Sequence, residues 1–345
     1  MLITFLDNNH IYDGSTIKNK PLDGAEKSLI HLSEALANIG HVVRVYNNCN
    51  KSIIINDVSW QQIKNIDAHH SDVWIAHNDP SLFDLVPSSS KKILWLTSSG
   101  LKLARPENFA AAMKHKPTII IQGENHINSI PDGLKSLDAS IIPSGNSNDF
   151  IENEKLLPSV TPKALVTTHP LMGLDWIINL WVKYIHTKLP WAELHIYSHT
   201  LHKALSGKSV PDIYETILNL VKANLAYNIK IKLPKIDSEM VKEIQDMRVH
   251  LYPSHKFEVS AFSLSETQIL GMPAVIRPLG AAVEKIFNGK TGFIANDEAQ
   301  FVEYSTRILS DLSSFNKMYE ESKIMHKVRS WDKVAEEFLQ VFKFR

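Results

Sequence analysis

Short apolar runs alternate with amphipathic helical stretches along this chain, and the alternation starts afresh once, near Pro158–Pro162. That pattern constrains the fold more than any other feature. A strand covered on both faces reads as a continuous apolar run, and a helix between two such strands returns the chain over the sheet. Leu2–Leu6 is a run of this kind. A polar loop with Asn8, Asn9, Asp13 and Gly14 follows it. Asp23 and Glu26 then have capping-box spacing, and Ala25, Leu29, Leu32, Leu36 and Ile39 recur at helical period up to Gly40. His41–Tyr46, Val73–Ala76, Lys92–Leu96, Thr118–Gln122 and Ala139–Pro143 read as further strands. After the junction, Ala164–Thr168 predicts a strand, His169–Gly173 a loop and Leu174–Lys188 a helix burying Ile178, Trp181 and Ile185. Glu193–Ser198, Val249–Tyr252 and Pro273–Ile276 predict strands, and Leu264–Leu270 a helix. Ser198–Pro211 shows no periodicity and reads as an exposed loop or lid.

The expected fold class is therefore α/β, with two Rossmann-like domains at residues 1–160 and 161–330. A length of 345 residues agrees, being too long for one ordinary core. Ligands of open parallel sheets bind beyond the carboxyl ends of the strands, so the ligand is expected in a cleft between the two halves. Thirty-seven basic residues balance thirty-seven acidic ones, which gives no support to nucleic acid as a partner. Cys49 is the only cysteine, so neither an internal disulfide nor a thiolate zinc site can form. The start MLITFLDNN lacks a basic leader, and no apolar run approaches the roughly 18 residues needed to cross a bilayer. A cytoplasmic protein is expected.

The segment His250–Gly280 carries the most chemistry. Its strand ends at Pro253, a loop bears Glu258, and a helix is expected to begin near Ser263 with Glu266 in its first turn. Backbone N–H groups of Phe262, Ser263 and Leu264 then surround the positive end of a helix, where a diphosphate binds without a metal. Carboxylates beside it accept hydrogen bonds from vicinal sugar hydroxyls. Plainer readings stand next to these. Ser263 and Glu266 fit a helix cap, and Glu258 alone fits a solvated loop carboxylate.

Glu258, seven residues and Glu266, followed by Gly271-Met-Pro-Ala-Val275, resemble the donor motif of retaining GT-B glycosyltransferases of the group 1, family 4-like type. Gly24-Ala-Glu26, Gly40-His41, Gly173-Leu-Asp175, Asn288–Phe293 and Ser330-Trp-Asp332 resemble further motifs of that family, in the same order. The resemblance implies that Glu258 binds hydroxyls of the transferred sugar and Glu266 the ribose. It places the base near Leu233–Ile236, with Ile236 at the end of that loop, and Gly24 against the diphosphate. The first domain would take the acceptor, the second a nucleotide-diphosphate sugar, and a last helix at residues 331–345 would cross back onto the first domain. The implied activity is retaining, metal-independent transfer to a saccharide, lipid-linked or small-molecule acceptor. A non-catalytic carbohydrate- or partner-binding subunit is the alternative.

Two departures from the family pattern favour that alternative. The family's Arg and Lys, which clamp the leaving diphosphate, are replaced in Thr167–Gly173, where Met172 precedes the glycine. His169, or a lysine such as Lys203 or Lys208, is the candidate stand-in. Ser98 and Ser99 occupy a strand end where many relatives carry a histidine. Asn125 and His126 are weighed as acceptor-side residues against an ordinary loop. His69 and His70 are adjacent, so their side chains diverge and no metal site is expected. Leu101–Pro106 and Phe109–Lys116 mix apolar residues with Lys102, Arg105, Lys114 and Lys116, a pattern for weak contact with an anionic membrane surface or for an ordinary exposed helix.

Overall fold

The computed structural model describes residues 1–66, 70–88, 90–152 and 156–343. These form two compact units, one of residues 1–147 with 329–345 and one of residues 148–328.

In the first unit β1 (Leu2–Leu6), α1 (Gly24–Asn38) and β2 (Val42–Asn47) are followed by β3 (Ile53–Ile55), β4 (Val58–Gln62), β5 (Val73–His77) and β6 (Lys91–Trp95). Then come α2 (Pro106–His115), β7 (Thr118–Ile121) and β8 (Ala139–Ile141). Among the described residues the sheet has eight strands in the order β3-β4-β2-β1-β5-β6-β7-β8, parallel except for the β3 edge. The order reverses between β1 and β5, and that switch point is where an open sheet leaves a crevice.

The second unit opens with α3 (Asn148–Ile151), ahead of the Pro158–Pro162 junction, because Phe150 and Leu156 are buried in its core. β9 (Lys163–Val166) leads to α4 (Leu174–Leu180), which runs through a π-helical turn at Trp181–Ile185 into α5 (His186–Lys188). β10 (Glu193–Tyr197), α6 (His199–Leu205), α7 (Glu215–Asn224), β11 (Ile229–Lys232) and α8 (Asp237–Ile244) follow. Next are β12 (Val249–Tyr252), α9 (Phe262–Ile269), β13 (Ala274–Ile276), β14 (Gly292–Ile294), α10 (Glu298–Ser310) and α11 (Leu312–Met325). The described strands are all parallel, in the order β11-β10-β9-β12-β13-β14, with the switch point between β9 and β12.

The chain then returns to the first unit as α12 (Trp331–Lys343). Trp331, Val334, Ala335, Phe338 and Phe342 are its buried residues, at the spacing of one helical face. Phe338 meets Trp95 edge-on with ring centroids 5.4 Å apart, and Trp331 stacks on His31 at 5.7 Å. The helix thus completes the first unit's core.

Several local expectations are corrected. Ser198–Pro211 is not all loop, because the Ser198 side chain accepts from the Leu201 N–H and starts α6. Asp23 precedes α1, but its side chain makes no capping bond, so the capping box is absent. β11 has no continuous apolar run because it is an edge strand, half-buried along Ile229-Lys-Ile-Lys232. Among the described residues no helix is long and apolar enough to cross a membrane.

Removing the Phe338 ring leaves a cavity under β6. Phe338→Ala is expected to cost about 3–5 kcal/mol of stability, read from chemical denaturation of the whole chain.

Candidate functional site

The candidate site forms at the switch point of the second unit, from the segments leaving β9 and β12. Gly173 (φ 85°) begins α4, and a Cβ there would lie 3.0 Å from the Pro253 side chain, so the two segments touch. Beneath them runs a chain of polar contacts. The Thr267 hydroxyl donates to the Leu264 carbonyl (3.1 Å) and lies 2.9 Å from His250 Nδ1. His250 Nε2 is 3.0 Å from the Thr167 hydroxyl, which is 2.8 Å from that of Ser263. With the Thr267 proton committed to Leu264, one direction of donation satisfies every link: Ser263 to Thr167, Thr167 to His250 Nε2, and His250 Nδ1–H to Thr267. Burial pushes His250 down to about 3, so the ring stays neutral, as this chain requires.

Ser263 also faces the Tyr252 hydroxyl, and Tyr252 donates a short hydrogen bond to Glu258 Oε1. Glu258 Oε2 is buried with no hydrogen-bonding partner among the described residues. Burial raises the Glu258 carboxyl to about 7, while the Tyr252 bond and the positive charge of Lys285 pull the other way. A carboxyl held by one oxygen, with the other open, is poised for a hydroxyl donor. Its backbone is fixed as well. The Glu258 N–H donates to the His255 carbonyl (3.0 Å), and the Ala281 N–H donates to the Glu258 carbonyl (3.0 Å). Gly280 (φ 56°) allows this clasp, since a Cβ there would lie 2.3 Å from the His255 oxygen.

α9 begins at Phe262 after Ala261, which is buried in the left-handed region (φ 46°, ψ 50°), and no side chain caps it. The helix starts one residue before the expected cap: Ser263 lies inside it and turns to Thr167, and Glu266, half-buried, belongs to the second turn. The N–H groups of Phe262, Ser263 and Leu264 are those a helix start leaves without intrahelical acceptors. His169 is exposed on the loop after β9, 3.2 Å from the Tyr214 hydroxyl through Nε2. Ile236 immediately precedes α8, beyond β11 at the opposite edge of the sheet. Lys203 lies exposed on α6 and Lys208 exposed beyond it. Among the described residues no three His, Cys, Asp or Glu side chains gather as a metal site. His69 lies outside the described residues, and His70 is exposed, 3.7 Å from Asp72.

The first unit's switch point holds a second polar cluster that the sequence reading missed. Asp7, just after β1, accepts from Tyr12 (Oδ2, 2.7 Å) and Asn9 (Oδ1, 2.7 Å), and lies 3.4 Å from His77 Nδ1 at the end of β5. His77 Nε2 is 2.7 Å from the Thr97 hydroxyl. Burial alone would raise Asp7, but the bonds and charge of His77, with Tyr12 and Asn9, outweigh it and hold the carboxyl below its usual range. Asn78 Oδ1 accepts from the N–H groups of Thr97 and Ser98 and from the Ser98 hydroxyl, which fixes the turn after β6. A polar residue closing an apolar strand, as in Ile-Thr-Phe-Leu-Asp7 and Trp-Ile-Ala-His77, was the available signal. His126 is buried, its Nδ1 accepting from the Gln122 N–H, so it is an internal brace and not an acceptor-side group.

No protein-family profile and no curated protein matches the chain. Solved structures do. Sucrose-phosphate synthase of Thermosynechococcus elongatus superposes with a TM-score of 0.74 at 12% identity, over 99% of this chain and 98% of that one. The E. coli trehalose-6-phosphate protein bound with UDP-2-fluoro glucose gives 0.70 at 10% identity, over 100% and 99%. The HepE protein of Anabaena, in complex with UDP and glucose, gives 0.67 at 12% identity, over 99% of each chain. The fold is GT-B.

The expected GT-B fold is thus matched over essentially the whole length of the chain. Two outcomes follow from the site's geometry. Glu258 titrates at about 7 when folded and at the usual 4.5 when not. The folded state therefore holds the proton more tightly, and stability is lost as pH rises from the lower value through the higher. Glu258→Gln should be more stable than wild type above pH ~7, by on the order of 2 kcal/mol, and should match it below pH ~4. Ala261→Gly relieves a left-handed alanine and should raise stability by about 0.5–1 kcal/mol, measured as a shift in denaturation midpoint.

Proposed function

We propose that this chain is a retaining glycosyltransferase that takes a sugar from a nucleotide-diphosphate sugar and passes it to a saccharide, lipid-linked or small-molecule acceptor. The observation that carries the reading is Glu258. A buried carboxyl with one oxygen tied to Tyr252 and the other unpartnered, beside an uncapped helix start, suits a sugar diol next to a diphosphate. The N–H groups of Phe262, Ser263 and Leu264 take the diphosphate, Glu266 takes the ribose, and Ile236 borders the base. Gly24, the first residue of α1, is the further diphosphate contact that the family resemblance implies. His169, whose Nδ1 accepts from the Leu171 N–H (3.3 Å), stands in as a hydrogen-bonding group for the leaving diphosphate where the family has a cation. The helix dipole and backbone donors supply the positive potential, so the scheme needs no metal. Two of the solved structures of this fold were determined with UDP and glucose or a UDP-linked fluoro sugar, which supports a nucleotide sugar as the ligand class.

A second reading has one observation behind it. The loop Thr167–Gly173 carries no Arg or Lys, so the chain would bind a nucleotide sugar or carbohydrate without turning it over. The cell-side placement is cytoplasmic. Exposed Leu101 and Met113 near Lys102 and Arg105 support a weak contact with an anionic membrane face. Lys114 is already paired with Asp84 at 2.6 Å.

Thermal-shift measurements against UDP, GDP, ADP and their common sugars test the proposal. Stabilisation by at least one nucleotide sugar is expected, reduced in Glu258→Gln and kept in Glu303→Ala, an exposed control on α10. Release of nucleotide with sugar transfer separates the enzyme from the binding subunit. No stabilisation by any nucleotide or nucleotide sugar would refute the transferase.

A further inference from the structure

The first turn of α1 holds a second open carboxyl. Glu26 is only 5% exposed, and its Oε2 has no hydrogen-bonding partner among the described residues. The carboxyl also feels Glu26's own backbone N–H at the start of the helix. Its charged neighbours are Asp23, His77 and His10, and Tyr12 also feels its charge. The rest of this turn is satisfied. The Ser28 hydroxyl donates to the Gly24 carbonyl (2.6 Å) and lies 3.4 Å from that of Ser144, while Ser144 donates to Gln122 Oε1 through its N–H (3.0 Å) and hydroxyl (2.6 Å). Asp7, Tyr12, His77 and Thr97 are closed among themselves. The oxygen left over in this group is therefore Glu26 Oε2, on the helix that follows β1, one of the two strands flanking the first unit's switch point, where open sheets bind ligands.

We propose that Glu26 is a hydroxyl-binding group for a neutral polyol or saccharide, the acceptor of the transfer. The ligand class follows from the chemistry. A phosphate or carboxylate seated directly on Glu26 would face two acids, Glu26 and the exposed Asp23. Burial raises the Glu26 carboxyl, and a hydroxyl can serve either protonation form by donating or accepting. An ammonium ligand needs the charged form. Calling the ligand an acceptor rests on the glycosyl-transfer reading; the hydroxyl site itself does not.

Saturation-transfer NMR with D-glucose, D-fructose, glycerol and D-glucosamine tests the site on the full chain. At least one neutral probe is expected to receive saturation from wild type and from Glu258→Gln. Its affinity should fall about tenfold in Glu26→Ala, as for a lost hydrogen bond to an ionisable group. Glu26→Gln, which keeps the side chain's size and still bonds within the turn, should weaken binding while leaving the melting curve in place. It decides the matter if the alanine variant fails to fold. Binding of no neutral probe, binding of glucosamine alone, or equal binding in Glu26→Gln would overturn the inference. Nucleotide-sugar stabilisation is a separate readout. Its failure with Glu26-dependent saccharide binding intact would remove the transferase reading and leave a carbohydrate site.

Discussion

The hydrogen bond from Tyr252 to Glu258 is the contact on which the second unit's site depends. Tyr252 ends a buried strand, so its hydroxyl has a fixed position, and Glu258 sits in a loop that would otherwise be free to turn its carboxylate to water. The bond brings the acid inward, and Gly280 and Ala281 hold its backbone there. Desolvation then raises the carboxyl and leaves one oxygen without a partner. An unpartnered buried oxygen is a stability cost, and such costs gather at functional sites.

Behind Tyr252 the support is continuous. Ser263, Thr167, His250 and Thr267 form one directed chain of hydrogen bonds from the helix α9 back into the sheet, with a neutral imidazole at its centre. Because His250 cannot take a proton at ordinary pH, the chain keeps one direction of donation. The scaffold under the acid is thus insensitive to pH even though the acid is not.

The two units repeat one design with different residues. Each has its switch point between strands distant in sequence, each places a helix start there, and each has a buried carboxyl oxygen with no partner among the described residues, on Glu258 in one and Glu26 in the other. Their histidines differ: His250 is hydrogen-bonded to hydroxyls alone, while His77 is paired with Asp7. Strands buried on both faces, such as β1, β5 and β12, were legible as apolar runs, and α12 was legible from its terminal motif. Half-buried β4 and β11 were not: β11 is an edge strand that tolerates polar residues, and β4 carries Ser59, Gln61 and Gln62 although strands flank it on both sides. Glu258 could be singled out by its spacing to Glu266. The roles of Tyr252, Thr167 and Gly280 could not, since each depends on which strands become neighbours. Glu26 looked like half of a helix cap, and only its burial without a partner distinguishes it.

Hydrogen exchange by mass spectrometry, with and without saturating UDP- and GDP-sugars, tests the central claim most directly. The account predicts slowed exchange in residues 253–266 and 167–173 of the second unit with at least one donor. Unchanged exchange there, with protection confined to other segments or absent, would contradict it.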